Sequence, residues 1–213
     1  HTQTPAPPWI KDYSLIGETD FDKLSSEIQQ KIEELESQKI KIEEQKNQIT
    51  QYKGLLYEQG FELEELVIKA FRLFGFKAEN RKLDDIEHDM IFESEEGRGI
   101  AELEGKDNDA IHISKLDQLN RAVDEDFELM GNFPQGILIG NHYRFTKPEN
   151  RKDAFTEKVH IVAKKKSFGL LNTCEIFYAV DYLQRNPDDN EFRISCRTKI
   201  LKITGEEIKL VKE

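Results

Sequence analysis

The chain has 213 residues and a formal net charge of −11, and its length predicts one core with an extension. Hydrophobic residues make up 37% and charged residues 34%, a composition that excludes a disordered chain. No apolar run approaches the roughly 20 residues needed to cross a bilayer and no signal-peptide pattern is present, so we expect a cytoplasmic protein without a membrane partner. Cys174 and Cys196 lie outside any zinc-binding spacing, which argues against a zinc site or a disulfide framework.

Residues 1–20 are predicted to form an extended arm or linker, because Pro5, Pro7 and Pro8 fix φ and remove backbone donors. The first residue is His1 rather than Met, so we expect a fragment or processed form, with room for an upstream sensor domain or partner protein. Residues 21–57 contain no Pro and are rich in Glu, Lys and Gln. They predict a long helix.

This predicted helix carries an apolar stripe whose members recur every seven residues: Ile28, Leu35, Ile42, Ile49 and Leu56. The complementary seam is mostly polar and consists of Leu24, Lys31, Gln38, Gln45 and Tyr52. Only half of a coiled-coil pattern is therefore present. Two interpretations stay open: a coiled coil that forms a homodimer or a larger homo-oligomer, and a plain connecting helix.

Residues 58–213 are predicted to form one α/β domain with a mixed central sheet flanked by helices. Helical spacing ends at Gly75, and strand-like segments follow at 76–81, 89–92 and 100–106, the last two as a hairpin. Ser114 is the expected N-cap of a helix to Met130, and 136–140 reads as a buried central strand. Beyond it we predict a helix at 154–164, a strand at 170–173, a helix at 175–184, and a segment at 193–199 that enters a hairpin through Thr204 and Gly205.

The hairpin holds the residues that could carry chemistry. Because strand side chains alternate, Glu102, Glu104 and Lys106 are expected on one side, with Asp89 at the start of the neighbouring strand. Hard oxygen ligands beside a cation are what metal-assisted phosphodiester hydrolysis requires. The alternative is a solvent-facing hairpin with cross-strand pairs. The apolar residues around these positions indicate inner strands, where clustered charge is costly unless it serves a site.

Asp89, followed after a turn by Glu104-Gly105-Lys106, resembles the D…(D/E)xK signature of the PD-(D/E)XK, or restriction-endonuclease-like, nucleases. The segment GFELEELVIKAFRLFGF, residues 60–76, is similar to the opening of the Mrr-like and RecB-like branches. The resemblance covers about residues 58–142. His88 stands where the family name has proline, and the C-terminal third matches no pattern of the family, which leaves substrate preference open.

The resemblance implies a restriction-endonuclease-like fold, with the signature on a hairpin between two helices. It implies that Asp89 and Glu104 ligate Mg²⁺ or Mn²⁺, together with a backbone carbonyl of residues 103–105. Glu64 would reach a second cation or orient water, and Lys106 would position the water and stabilise charge on the phosphate. Gln118 would be a polar residue near this lysine. Glu102 is a weaker candidate, because it could pair with Arg98 or Lys106.

Charge is unevenly distributed, since residues 58–134 carry 9 Lys+Arg against 21 Asp+Glu and residues 135–213 carry 15 against 11. The acidic centre suits divalent cations and the basic C-terminal third suits phosphates, although solvated faces explain the same pattern. Candidate nucleic-acid contacts are Arg144, Lys164, Lys165 and Lys166. His88 and His112 flank the site and are interpreted as structural residues.

The resulting expectation is a Mg²⁺-dependent DNA endonuclease that serves as an effector module in bacterial antiviral or foreign-DNA defence. A catalytically inactive nuclease fold that binds nucleic acid or protein is the alternative, and it gains support from the acidic net charge. A scaffold whose functional part is the long helix is a third interpretation.

Overall fold

The computed structural model describes residues 3–83 and 86–211, without the side chains of residues 81–89. The chain divides into two units, His1–Gln48 and Ile49–Glu213. After a short 3₁₀ helix at Pro8–Asp12, helix α1 spans Glu18–Thr50 and buries none of its residues. It ends at Thr50 rather than at 57, because a 3₁₀ helix, Gln51–Leu56, buries Leu55 in the core of the second unit.

A five-stranded mixed sheet is the centre of the second unit. Its strands are β1 (Lys77–Leu83), β2 (Ile86–Ser94), β3 (Gly97–Gly105), β4 (Gln135–Asn141) and β5 (Gly169–Asn172). They lie in the order of the sequence. The first three pair antiparallel, whereas β3, β4 and β5 run parallel. The carboxyl ends of β3, β4 and β5 therefore meet at one edge.

Helices cover both faces of this sheet. One cluster contains residues of α2 (Gly60–Leu73), α5 (Thr173–Arg185) and α6 (Asn190–Lys202), together with Ala101 and Leu103 of β3. The other contains residues of α3 (Ser114–Met130) and α4 (Glu157–Lys166), together with Ile100. Alternation along β3 therefore places Glu102 and Glu104 on the face covered by α3. No described helix is both long and apolar enough to span a membrane.

The predicted α/β class, mixed sheet and long N-terminal helix are confirmed, and each predicted helix and strand from 58 to 184 lies within a few residues of an observed one. The N-cap prediction is wrong, because Ser114 is already helical and Ile113 occupies the cap without a side-chain hydrogen bond. Cys174 and Cys196 are free, and burial raises the pKa of the Cys196 thiol to about 12.

The hairpin predicted through Thr204 and Gly205 is also wrong. The residues 193–199 that were expected to lead into it belong to helix α6, which spans Asn190–Lys202. Asp189 begins this helix by accepting a hydrogen bond from the Phe192 amide at 2.8 Å. Cys196 and Ile200 lie one helical turn apart and are both buried in the α2 side of the core. Tertiary packing and a cap thus override the strand preference of the segment's β-branched residues.

An ion pair joins α6 to the turn between β2 and β3. Arg197 donates from Nε and Nη2 to the two carboxylate oxygens of Glu96, both at 2.7 Å, and from Nη1 to the Phe74 carbonyl. The hydrogen bonds from Arg197 are the largest cause that lowers the pKa of Glu96, from 4.5 to about 2. Since the folded-state pKa is depressed, this contribution to stability is complete above pH 4.5 and is lost as the pH falls toward 2.

We expect Glu96→Gln to lower the free energy of unfolding at pH 7 by about 2 kcal/mol, the value of hydrogen bonds to a charged group. The difference from the wild type should shrink when urea unfolding is repeated at pH 3.5. Glu95→Gln is the control, because it removes the neighbouring charge and leaves both Arg197 hydrogen bonds intact. If Glu96→Gln lowers the free energy of unfolding by the same amount at pH 7 and at pH 3.5, the depressed pKa of Glu96 does not stabilise the fold.

Candidate active site

Glu104 and Lys106 lie at the edge where the parallel strands end. Glu104 pairs with Gly140 of β4 and Gly105 with Asn141. Beyond the strand, the Lys106 amide donates to the Asn141 carbonyl at 2.9 Å and the Lys106 carbonyl accepts from the Arg144 amide at 3.0 Å. The backbone therefore holds Lys106 in place beside the last residues of an inner strand.

The residue between them has to be glycine for a steric reason. A Cβ on Gly105 would lie 2.4 Å from the Cβ of Gln59, the residue that precedes α2. This close approach lets the start of α2 pack against the end of β3. Packing against the start of α2 therefore restricts the middle residue of the Glu-x-Lys pattern to glycine in this chain.

The side chains of Glu104 and Lys106 are in contact. Lys106 Nζ lies 2.8 Å from Glu104 Oε1, and the side chains are 35% and 14% exposed. Glu104 Oε2 is buried and accepts no hydrogen bond from the described protein atoms. A buried carboxylate oxygen without a donor is costly, and it is the type of ligand that a hard divalent cation prefers. Glu104 Oε2 is therefore one oxygen that could ligate Mg²⁺ or Mn²⁺.

Asp89 is the predicted second ligand. Its backbone belongs to β2, directly before Met90, whose Cα pairs with Ala101 of β3. Its side chain lies outside the described residues, as does that of His88. Among the side chains that are described, no group of three or more His, Cys, Asp or Glu residues forms a metal-binding cluster. The part of Asp89 in metal binding stays a prediction.

Glu102 has a partner that the sequence analysis did not consider. This residue is 4% exposed, and its Oε2 lies 3.4 Å from Nζ of Lys115, in the first turn of α3. The partners considered from the sequence are engaged elsewhere: Arg98 donates from both terminal nitrogens to Asp126, and Lys106 contacts Glu104. Lys115 follows β3 by ten residues and lies in the first turn of α3, so no local sequence pattern links it to Glu102.

The other two residues of the predicted centre lie on helices. Glu64 is half-buried on α2, which packs on the sheet face opposite to the β3 carboxylates. Gln118 is exposed on α3, one turn beyond Lys115. Their proposed contacts with a second cation and with Lys106 stay predictions.

The predicted phosphate contacts separate into two places. Lys164, Lys165 and Lys166 are exposed in the last turn of α4. The next residue, Ser167, accepts a hydrogen bond at 2.9 Å from Gln135, the first residue of β4. Glu104 pairs with Gly140 near the other end of that strand, five residues or about 17 Å from Gln135. The sheet does not bring this basic run to the carboxylates.

Arg144 lies beside Lys106, but its guanidinium is already engaged. Nε donates to Asp107 at 2.6 Å and Nη1 donates to the Tyr57 carbonyl at 2.5 Å. Its side chain is 12% exposed. These contacts fasten the loop after β4 to the segment before α2, so we interpret Arg144 as a residue that stabilises the edge of the site.

Two further residues that the sequence analysis did not assign to the site hold the same edge together. Asn141 donates to the Glu58 carbonyl at 2.8 Å and accepts from Arg151 at 2.9 Å.

Two histidines lie close to this edge in the sequence. Burial and the charge of Arg151 lower the pKa of His142 to about 4, so this imidazole is neutral at pH 7. His112 contacts Asp109 at 2.8 Å, and this hydrogen bond lowers the pKa of the Asp109 carboxyl.

Comparison of the chain with protein-family models, with curated proteins and with solved structures finds no match.

Proposed function

We propose that Ile49–Glu213 is a metal-dependent DNA endonuclease of the PD-(D/E)XK type, which hydrolyses phosphodiester bonds. The observation that supports this most is Glu104, with one carboxylate oxygen on Lys106 and the other buried without a donor among the described atoms. The position of the β2–β3 hairpin between α2 and α3 agrees with the arrangement that the resemblance implies.

Asp89 and Glu104 would hold Mg²⁺ or Mn²⁺, together with a backbone carbonyl of residues 103–105, and Glu64 would reach a second cation or orient water. The bound ion supplies Lewis acidity, which stabilises charge on the phosphate and makes water more acidic. Lys106 Nζ donates to the attacking water and to a phosphate oxygen. The water gives up a proton to solvent as its oxygen attacks phosphorus in line with the P–O bond that breaks, and the leaving oxygen takes up a proton from solvent.

The choice of DNA as the substrate and a role as an effector against viral or other foreign DNA follow from the resemblance. The cytoplasmic location that belongs to this proposal follows instead from the apolar pattern of the sequence. Residues 135–213, with 15 Lys+Arg against 11 Asp+Glu, are the part of the chain with the charge to contact phosphates. Arg144 is already engaged, so Lys164, Lys165 and Lys166 are the exposed candidates from the sequence, and they would contact DNA away from the cleaved bond.

Cleavage is tested by incubating the protein with supercoiled plasmid and with linear DNA, in Mg²⁺, in Mn²⁺ and in EDTA. The proposal predicts nicking and cutting in either metal and none in EDTA. A catalytically inactive binding module would instead retain DNA without metal, with an affinity that falls steeply as salt is added. Failure to cut in either metal would contradict the endonuclease.

We also propose that α1 joins two copies of the chain, either as a homodimer or within a larger homo-oligomer. Ile28, Leu35, Ile42 and Ile49 are all exposed in the single chain and share one face of the helix. Apolar residues repeated at this spacing gain free energy when a second helix covers them. A dimer also suits the cleavage of both DNA strands.

Leu35→Glu combined with Ile42→Glu is expected to shift the full chain to monomers, measured by light scattering on a sizing column. Gln30→Glu combined with Ser37→Glu is the matched control, because it adds the same charge at the same spacing on another face. A wild-type chain that is already monomeric at micromolar concentration would refute the assembly.

A further inference from the structure

The first turn of α3 brings a second lysine to the face of β3 that carries the proposed catalytic pair. Glu102 and Glu104 lie two residues apart on one strand, so their side chains project to the same face. Each has a lysine beside it, Lys106 at 2.8 Å from Glu104 and Lys115 at 3.4 Å from Glu102. The structure therefore places two neighbouring ion pairs where the signature alone gives one.

Stability does not explain the second pair. Glu102 shares its sheet face with Ile100 and with its register partner Leu138, which both belong to the apolar cluster that includes residues of α3. Replacing a buried ion pair by apolar side chains of similar volume is often neutral or stabilising by about 1–4 kcal/mol. A leucine at residue 102 would extend this cluster at lower cost. Packing energy alone therefore gives no reason for a carboxylate and a lysine at this place.

Geometry leaves Lys115 able to reach a ligand. Its side chain is 26% exposed, whereas that of Glu102 is 5% exposed, so the lysine is the member of the pair that is more open to solvent. An ammonium group has three N–H donors, and the 3.4 Å contact with Glu102 Oε2 uses one of them. Ile113 provides no side-chain cap, so the first-turn amides of α3 add a positive potential at this position.

We propose that Lys115 is a second phosphate-binding cation of the active site and that Glu102 is the positioning residue that directs it. This inference rests on the proposed endonuclease function and specifies how that site holds its substrate. Lys106 donates hydrogen bonds to the attacking water and to the scissile phosphate. Lys115 donates to a non-bridging oxygen of the same or the adjacent phosphate, and Glu102 keeps its ammonium group over the strand.

The test compares Lys115→Met with Arg121→Met, which removes an exposed cation from the same helix, and with Lys115→Arg, which keeps the charge. We expect Lys115→Met to lower kcat/KM on a labelled duplex about 100-fold, the effect of removing one preorganised donor. Lys115→Arg should recover most of this loss, and Arg121→Met should leave kcat/KM unchanged. Glu102→Gln should lower kcat/KM less, and its effect should not add to that of Lys115→Met.

A second measurement separates substrate binding from folding. The salt dependence of duplex binding is measured in an otherwise cleavage-deficient Lys106→Met background, where we expect Lys115→Met to reduce the slope of log K against log salt by about 1. A lower Tm with an unchanged slope would identify a structural pair and overturn the inference. If the wild-type protein leaves the duplex uncut, the proposed endonuclease function is refuted. The slope of log K against log salt would still show whether Lys115 contacts phosphate.

Discussion

Replacing Lys106 with methionine is expected to reduce Mg²⁺-dependent plasmid cleavage by about a thousandfold, the upper range for loss of a preorganised donor at a developing charge. Methionine keeps the apolar stem and removes the ammonium group that contacts Glu104 at 2.8 Å. Lys106 is 35% exposed, so the substitution should leave the fold intact. The effect should appear in kcat more than in KM, because this group acts on the attacking water.

The matched control is Lys158→Met, which removes an exposed lysine from α4. It should cut plasmid at the wild-type rate in the same preparation. Cleavage by Lys106→Met at the wild-type rate would show that the nuclease in the sample is a contaminant or that this lysine has no part in the reaction. Circular dichroism of both variants establishes that they are folded.

Glu104→Gln is expected to abolish both cleavage and the stabilisation of the protein by Mn²⁺. The wild-type chain should gain about 2.7 kcal/mol when free Mn²⁺ is 100 times its Kd, because the ion binds the folded state. For a unit of this size that gain corresponds to a rise in Tm of roughly 5–10 °C. Glutamine keeps the shape of the side chain but removes the charge at the buried Oε2.

Glu128→Gln is the control for this prediction, since Glu128 is an exposed carboxylate on α3. It should retain the full rise in Tm with Mn²⁺. An equal rise in the Glu104→Gln variant would show that the ion binds elsewhere, and it would remove the main support for a metal-dependent reaction. Differential scanning calorimetry with and without Mn²⁺ gives the comparison directly.

That Glu104 and Lys106 lie on one side of the strand could be predicted, because this depends only on the alternation of side chains. The sheet could be predicted for a similar reason, since 136–140 is a continuous apolar run and residues 89–106 have a turn between two apolar segments. Both are local properties of the sequence. They require no knowledge of how distant segments pack.

Lys115 could not be assigned in this way. Its contact with Glu102 joins residues 13 positions apart and depends on how α3 lies across β3. The engagement of Arg144 by the Tyr57 carbonyl joins residues 87 positions apart. A basic residue in a sequence shows that a phosphate contact is available, and only the fold shows whether its donors are already used.

The distance of Lys164, Lys165 and Lys166 from Glu104 follows from topology. A helix that connects two parallel strands returns antiparallel to them, so its last turn lies at the edge where those strands begin. Here β4 and β5 are parallel, and α4 ends at the start of β5. Composition identified the basic run, but strand direction decided which edge it occupies.

Anomalous diffraction from crystals soaked in Mn²⁺ would show whether Asp89, Glu104 and Lys106 share one divalent cation site. We expect one strong peak at about 2.0–2.3 Å from Glu104 Oε2 and from an Asp89 carboxylate oxygen, the range for hard cations and oxygen ligands. Lys106 Nζ should lie within reach of a water on that ion. A peak bound to neither carboxylate, or an Asp89 side chain on the α2 side of the sheet, would contradict the account.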